Sequence, residues 1–186
     1  MIYKLPTGFT LIEALVAVTI LTLAVAGPLV TANRAVVSAQ TSRDQLTASY
    51  LAQEGIEYVH MVRDNAFLAT YPPGNSSTAW TNFLSSVSQC DATTNSTRAC
   101  TFDPVNGFST SCTLDSSCGP LYLTNATPQR FVRTSLPEYT QTIFTRTVQV
   151  FQDNPTSDAR VTSQVSWTYH GTTYSVRLTE HLTPWQ

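Results

Sequence analysis

Residues 9–30 read FTLIEALVAVTILTLAVAGPLV, and this run decides how the chain is organised. It is apolar apart from three threonines and one acid, Glu13. As an α-helix it would span about 33 Å, which matches the hydrocarbon thickness of a bilayer. Glu13 is the informative residue. An acid costs about 2.5–3.5 kcal/mol at mid-membrane on insertion scales, and less near an interface. A plain anchor has no use for it. A cut before Phe9 would create a free α-amine about 6 Å away along the helix axis. Glu13 would then gain a cationic partner, in its own chain or in a neighbour. The segment therefore reads as a packing element as well as a membrane span. Lys4 precedes it and Arg34 and Arg43 follow it, so the positive-inside rule leaves orientation nearly undecided.

Beyond Val30 the pattern becomes amphipathic. Ala32, Ala35, Val36, Ala39, Leu46 and Tyr50 recur at helical steps, and a second stripe of Leu51, Ala52, Ile56, Val59 and Val62 follows. The helix is predicted to stop near Asp64-Asn65, before Tyr71-Pro72-Pro73-Gly74. From Phe9 to that point it would measure roughly 80 Å. One small domain cannot bury such a length, so the first half is expected to protrude and the second to pack on a globular part. Gly27 and Pro28 predict a helix break, since proline lacks the backbone donor and clashes with the carbonyl of Ala24. Glu54, Glu57, Arg63 and Asp64 read as a solvated helix face.

Residues 74–128 read as irregular and rich in Ser, Thr and Asn, with one short helix around Trp80, Phe83, Leu84 and Val87. Four cysteines, Cys90, Cys100, Cys112 and Cys118, fall in this stretch. An even, clustered set without CxxC or HxxxH spacing points to disulfides in an oxidising compartment rather than to zinc. Four cysteines allow three connectivities. Cys90–Cys100 with Cys112–Cys118 is preferred because each pair closes a short loop. Strand patterns then appear at Arg130–Thr134, Gln141–Phe151, Arg160–Tyr169 and Thr173–Leu182. Asp153-Asn154-Pro155 and His170-Gly171 are turn signals between them. The fold class is α+β: a long N-terminal helix on a small antiparallel sheet.

With 10 Lys and Arg against 12 Asp and Glu in 186 residues, the chain lacks the basic surface that nucleic acid requires. Lys4 is the only lysine. No GxSxG, P-loop, HExxH or paired-carboxylate run is present, so no enzyme, cofactor or metal is expected. His60 falls on the helix and His170 in a turn. His170 and His181 flank a strand and read as polar surface rather than as a metal pair. Asn75-Ser76-Ser77, Asn95-Ser96-Thr97 and Asn125-Ala126-Thr127 fit the glycosylation acceptor pattern and mark surface loops.

The run Gly8-Phe9-Thr10-Leu11-Ile12-Glu13, followed by the apolar stretch, resembles the processing signature of type IV prepilins and type II secretion pseudopilins. The resemblance implies that a membrane-embedded prepilin peptidase cuts between Gly8 and Phe9 and methylates Phe9. It implies that Glu13 registers each subunit against the amine of its neighbour. The run at 50–65, YLAQEGIEYVHMVRDN, is similar to minor pilins and pseudopilins of the pilus-modification-V and secretion-I type. So is the end of the chain, with Ser166-Trp167, Gly171 and Leu182-Thr183-Pro184-Trp185.

That likeness implies the pilin fold, divided as follows. Residues 1–8 form a leader, 9–30 a membrane and assembly helix, and 31–65 its amphipathic continuation. Residues 66–128 form a variable disulfide loop, and 129–186 the antiparallel sheet. Implied partners are other pilin or pseudopilin subunits, prepilin peptidase, a pilus or secretion assembly platform and, before assembly, the cytoplasmic membrane. The implied destination is an extracellular filament. A tip module binding a surface, DNA or a secreted substrate is the first alternative. The second is a soluble exported protein cleaved after Ala26, at the A-x-A-like Ala24-Val25-Ala26; Glu13 at the head of the apolar run and Pro28 just past the cut argue against it.

Overall fold

The computed structural model describes residues 8–70, 76–104, 107–114 and 118–184. Residues 1–7 of the expected leader, with Lys4, lie outside the described residues. So do the Tyr71–Gly74 stop signal, Asn75 and Trp185. The chain divides into two compact units, Met1–Asp44 and Gln45–Gln186.

The first unit is helical from Leu11, within helix α1 (Leu11–Ala69), and residues 11–40 are exposed throughout. Its hydroxyls bond to the helix's own backbone. Thr19 donates to the Val16 carbonyl (2.8 Å), Thr22 to Thr19 (2.9 Å) and Thr31 to Pro28 (2.9 Å). Back-bonding of this kind removes the penalty for a hydroxyl among hydrocarbon. The helix runs through Gly27 and Pro28 without interruption, where the sequence predicts a break. Within that run Pro28 forgoes the ladder bond to the Ala24 carbonyl.

In the second unit, α1 buries Ala48, Leu51, Ala52, Gly55, Ile56 and Val59, the i, i+3, i+4, i+7 stripe of a helix lying on a sheet. It extends to Ala69, past the predicted stop at Asp64-Asn65. Ala66 and Phe67 pack against the core there, and the Thr70 hydroxyl caps the Phe67 carbonyl (2.9 Å). Helix α2 (Ser76–Ser86) follows, and its Trp80 donates from Nε1 to the Pro155 carbonyl (2.9 Å).

Among the described residues eight strands follow: β1 (Arg98–Asp103), β2 (Gly107–Thr113), β3 (Tyr122–Leu123), β4 (Phe131–Val132), β5 (Thr140–Gln141), β6 (Thr145–Asn154), β7 (Asp158–Tyr169) and β8 (Thr172–Leu182). A five-stranded antiparallel sheet has the order β2-β1-β6-β7-β8, and a small sheet the order β4-β3-β5. The stretch read as irregular thus contributes two strands to the main sheet. Five of the six β1 residues are buried, so no polar alternation reveals it. The predicted strand at Arg130–Thr134 shrinks to two residues, and Gln141–Phe151 divides between β5 and β6. His170 (φ 48°) and Gly171 (φ 78°) form the two-residue turn between β7 and β8, since both take the left-handed conformation a type I′ hairpin requires.

Along β7, Ala159, Val161, Ser163, Val165 and Trp167 are buried. Of these, Val161 packs with Ile56 and Val59 of α1, and Val165 with Ala48, Leu51 and Ala52. Gly55 sits where helix and sheet leave no room for a side chain. A Cβ there would stand 3.0 Å from the Ser163 Cβ and overlap its hydroxyl. The α+β architecture, with the long N-terminal helix packed on antiparallel sheets, is consistent with the pilin fold.

Candidate functional site

The first turn of α1 is built by Thr10. Its carbonyl accepts the amides of Glu13 (3.1 Å) and Ala14 (3.2 Å), and its hydroxyl lies 3.4 Å from the Glu13 amide. Thr10 is therefore the N-cap and Glu13 the third helical residue, the Thr-x-x-Glu spacing of a capping box. That spacing is visible in the sequence and identifies Thr10 as a partner of Glu13, which the membrane argument alone does not. A carboxylate in the first turn also faces the positive end of the helix dipole.

Gly8, Phe9 and Thr10 precede the helix, so the Gly8–Phe9 peptide lies in non-helical chain. Phe9 is 77 % exposed, and Leu11, Ile12, Leu15, Val16, Val18, Ile20, Leu21 and Leu23 continue the exposed apolar surface. A Cβ added at Gly8 would meet nothing within 4 Å. This part of α1 is long and apolar enough to cross a membrane.

Gly27 and Pro28 lie within α1 in the first unit, and the second unit holds the cysteines. Cys90 is bonded to Cys100 and Cys112 to Cys118. The first pair is fully buried beside Trp80, Phe83 and Val150, and the second packs on Ala99. Glu54, read from sequence as part of a solvated face, pairs with Arg146 of β6. The Arg146 guanidinium is fully buried, donates to the carbonyls of Leu51 and Phe102 (each 3.3 Å) and lies 3.7 Å over the Phe102 ring. Burial pushes its pKa below the ordinary value, while Glu54 and Asp103 pull it back up. The Tyr58 hydroxyl, stacked by its ring on Phe102, is raised by burial and by Asp103.

The Asp103 carboxylate in turn accepts the amides of Arg133 (3.1 Å) and Thr134 (2.9 Å). Glu54 and Arg146 are 92 residues apart, and no local sequence signal joins them. His60 faces Glu180 (3.1 Å) and His181 faces Asp158 (3.1 Å), so these histidines meet carboxylates on neighbouring elements. Asp153, Asp158 and His181 bring one ligand atom each within 4.8 Å of one another. Arg160, however, already holds both oxygens of Asp153 (2.9 and 3.2 Å).

Residues 6–27 match the family model described as the prokaryotic N-terminal methylation motif. No curated protein and no solved structure matches the chain. The match is consistent with a type IV pilin-like protein, and the motif in general goes with assembly among pilin subunits and with a prepilin peptidase.

Proposed function

We propose that this chain, with its N-terminal methylation motif, is a minor structural subunit of a type IV pilus or pseudopilus filament. It is cut between Gly8 and Phe9, methylated on the Phe9 amine and assembled through α1. The observation that carries the reading is a coincidence of place. The motif falls on the run of α1 whose large apolar side chains are all exposed. Exposed apolar surface of that extent requires lipid or like surface around it.

Three further features support the reading. Among the described residues a Cβ at Gly8 would meet nothing within 4 Å, which fits a smallness that serves an external partner such as a peptidase. The Gly8–Phe9 bond precedes the helix, where a peptidase can take the backbone in extended form. The Cys90–Cys100 and Cys112–Cys118 bridges suit delivery of residues 45–186 to the oxidising side of the membrane. Minor status is supported by the likeness of residues 50–65, and of Ser166-Trp167, Gly171 and Leu182-Thr183-Pro184-Trp185, to minor pilins and pseudopilins. Before assembly the chain sits in the cytoplasmic membrane; afterwards it belongs to a filament built with the help of an assembly platform.

Mass spectrometry of the mature N-terminus tests the proposal. A chain beginning with methylated Phe9 is the expected result. A chain beginning at Gly27, or one retaining residues 1–8, overturns it.

A further inference from the structure

Of the three Asn-x-Ser/Thr triplets, Asn75 lies outside the described residues, and the geometry separates the other two. Asn95 stands in the exposed run Thr93–Arg98, between the bonded cysteines Cys90 and Cys100. Its side-chain oxygen accepts both the Thr97 amide (3.1 Å) and the Thr97 hydroxyl (2.8 Å). Among the described residues nothing accepts a hydrogen bond from its Nδ2. The loop is fixed from below, since Gln149 Nε2 donates to the carbonyls of Ser96 and Arg98 (each 2.8 Å). Gln152 adds a backbone donation to the Thr93 hydroxyl (2.8 Å). Asn125 is held differently. Its Nδ2 donates to the Glu138 carbonyl, and its Thr127 precedes Pro128, whose ring restricts the preceding residue.

We propose that Asn95 is an acceptor for N-linked glycosylation on the folded domain, and that Asn125 is not. The donor class is an oligosaccharide linked through phosphate to a membrane lipid. Nδ2 of Asn95 attacks the anomeric carbon, forming a C–N bond. The C–O bond to the phosphate breaks, and the lipid phosphate leaves with the electron pair. One amide proton passes to a base of the transferase. Thr97 positions the acceptor: its amide and hydroxyl both bond the amide oxygen, which fixes the side chain with nitrogen outward. The attached glycan would meet solvent on all sides, because every residue from Thr93 to Arg98 is exposed. The inference rests on the proposed delivery of residues 45–186 across the membrane.

The test is peptide mass spectrometry of the full chain purified from its native cells, alongside Asn95→Gln, Thr97→Ala, Thr97→Ser and Asn125→Gln variants. Disulfide status and protease access in whole cells serve as independent reports of delivery. The expected result is a glycan mass on the Asn95 peptide. It should disappear in Asn95→Gln, fall at least tenfold in Thr97→Ala, persist in Thr97→Ser and remain unchanged in Asn125→Gln. A delivered, disulfide-bonded chain with Asn95 unmodified overturns this inference and leaves the filament reading standing, and modification of Asn125 in its place does the same. A chain that is not delivered overturns both.

Discussion

Arg146, fully buried in β6, donates a hydrogen bond to the backbone carbonyl of Leu51 in α1 at 3.3 Å, so a strand side chain grips a helix by its main chain. The same guanidinium pairs with Glu54 one turn on. Removing one partner of a buried pair leaves the other charge uncompensated, whereas replacing both partners by apolar groups of similar size is often neutral. Glu54→Ala should therefore destabilise by about 2 kcal/mol, a figure reduced for its 43 % exposed side chain. Glu54→Leu combined with Arg146→Met should cost about 1 kcal/mol or less. Denaturant unfolding of the detergent-solubilised chain measures both, and the reverse ranking would refute the grip.

Gly55 and Ser163 form the tightest crossing of helix and sheet among the described glycines that meet a sheet residue. Gly55→Ala places a methyl group against the Ser163 side chain and should cost about 1–3 kcal/mol through overpacking. Ser163→Gly in the same chain should recover most of that loss, because both close contacts belong to Ser163. A double-mutant cycle reads the coupling, and simple additivity of the two substitutions would count against the close approach.

The two disulfides should differ in consequence. Loop-closure entropy is similar for both, at roughly 2–3 kcal/mol for sequence separations of 10 and 6. Cys90 and Cys100 also sit in the main core, against Trp80 and Phe83. Replacing that pair by alanine should thus lower Tm more than replacing Cys112 and Cys118, and differential scanning calorimetry decides the order. Equal shifts would mean that the core contacts contribute little.

Glu13→Ala should leave cleavage intact and reduce incorporation into filaments at least tenfold. Immunoblots of membrane and sheared-filament fractions separate the two steps. Normal incorporation would refute the pairing of the Glu13 carboxylate with a neighbour's amine.

What the sequence makes legible follows a physical line. The N-terminal run is long and apolar and the strands β6 to β8 are long and periodic, so pattern alone finds them. Strand β1 escapes because it is buried on both faces and Thr101 is its single β-branched residue. Helix α1 outlasts its predicted end because Phe67 finds a core contact that local propensity cannot register. The role of Glu54 is set by a residue 92 positions away, and its immediate neighbours give no hint of it. At the candidate site, Glu13 can be picked out from residue chemistry alone, since an acid in an apolar run demands a reason, while Gly8 and Phe9 stand out through the resemblance to prepilins. The cap at Thr10 is legible as the Thr-x-x-Glu spacing, and the helix start at Leu11 gives that spacing its meaning.

The hydroxyls of Thr19, Thr22 and Thr31 all spend their protons on carbonyls within a turn of themselves. This stretch of helix consequently asks nothing of its surroundings except contact. Exchanging acyl chains for the flanks of like helices breaks no hydrogen bond at these positions and swaps one dispersion-rich medium for another. For those hydroxyls the passage is close to isoenergetic. Its direction is then left to how well side chains interlock, and to the one charge the segment carries.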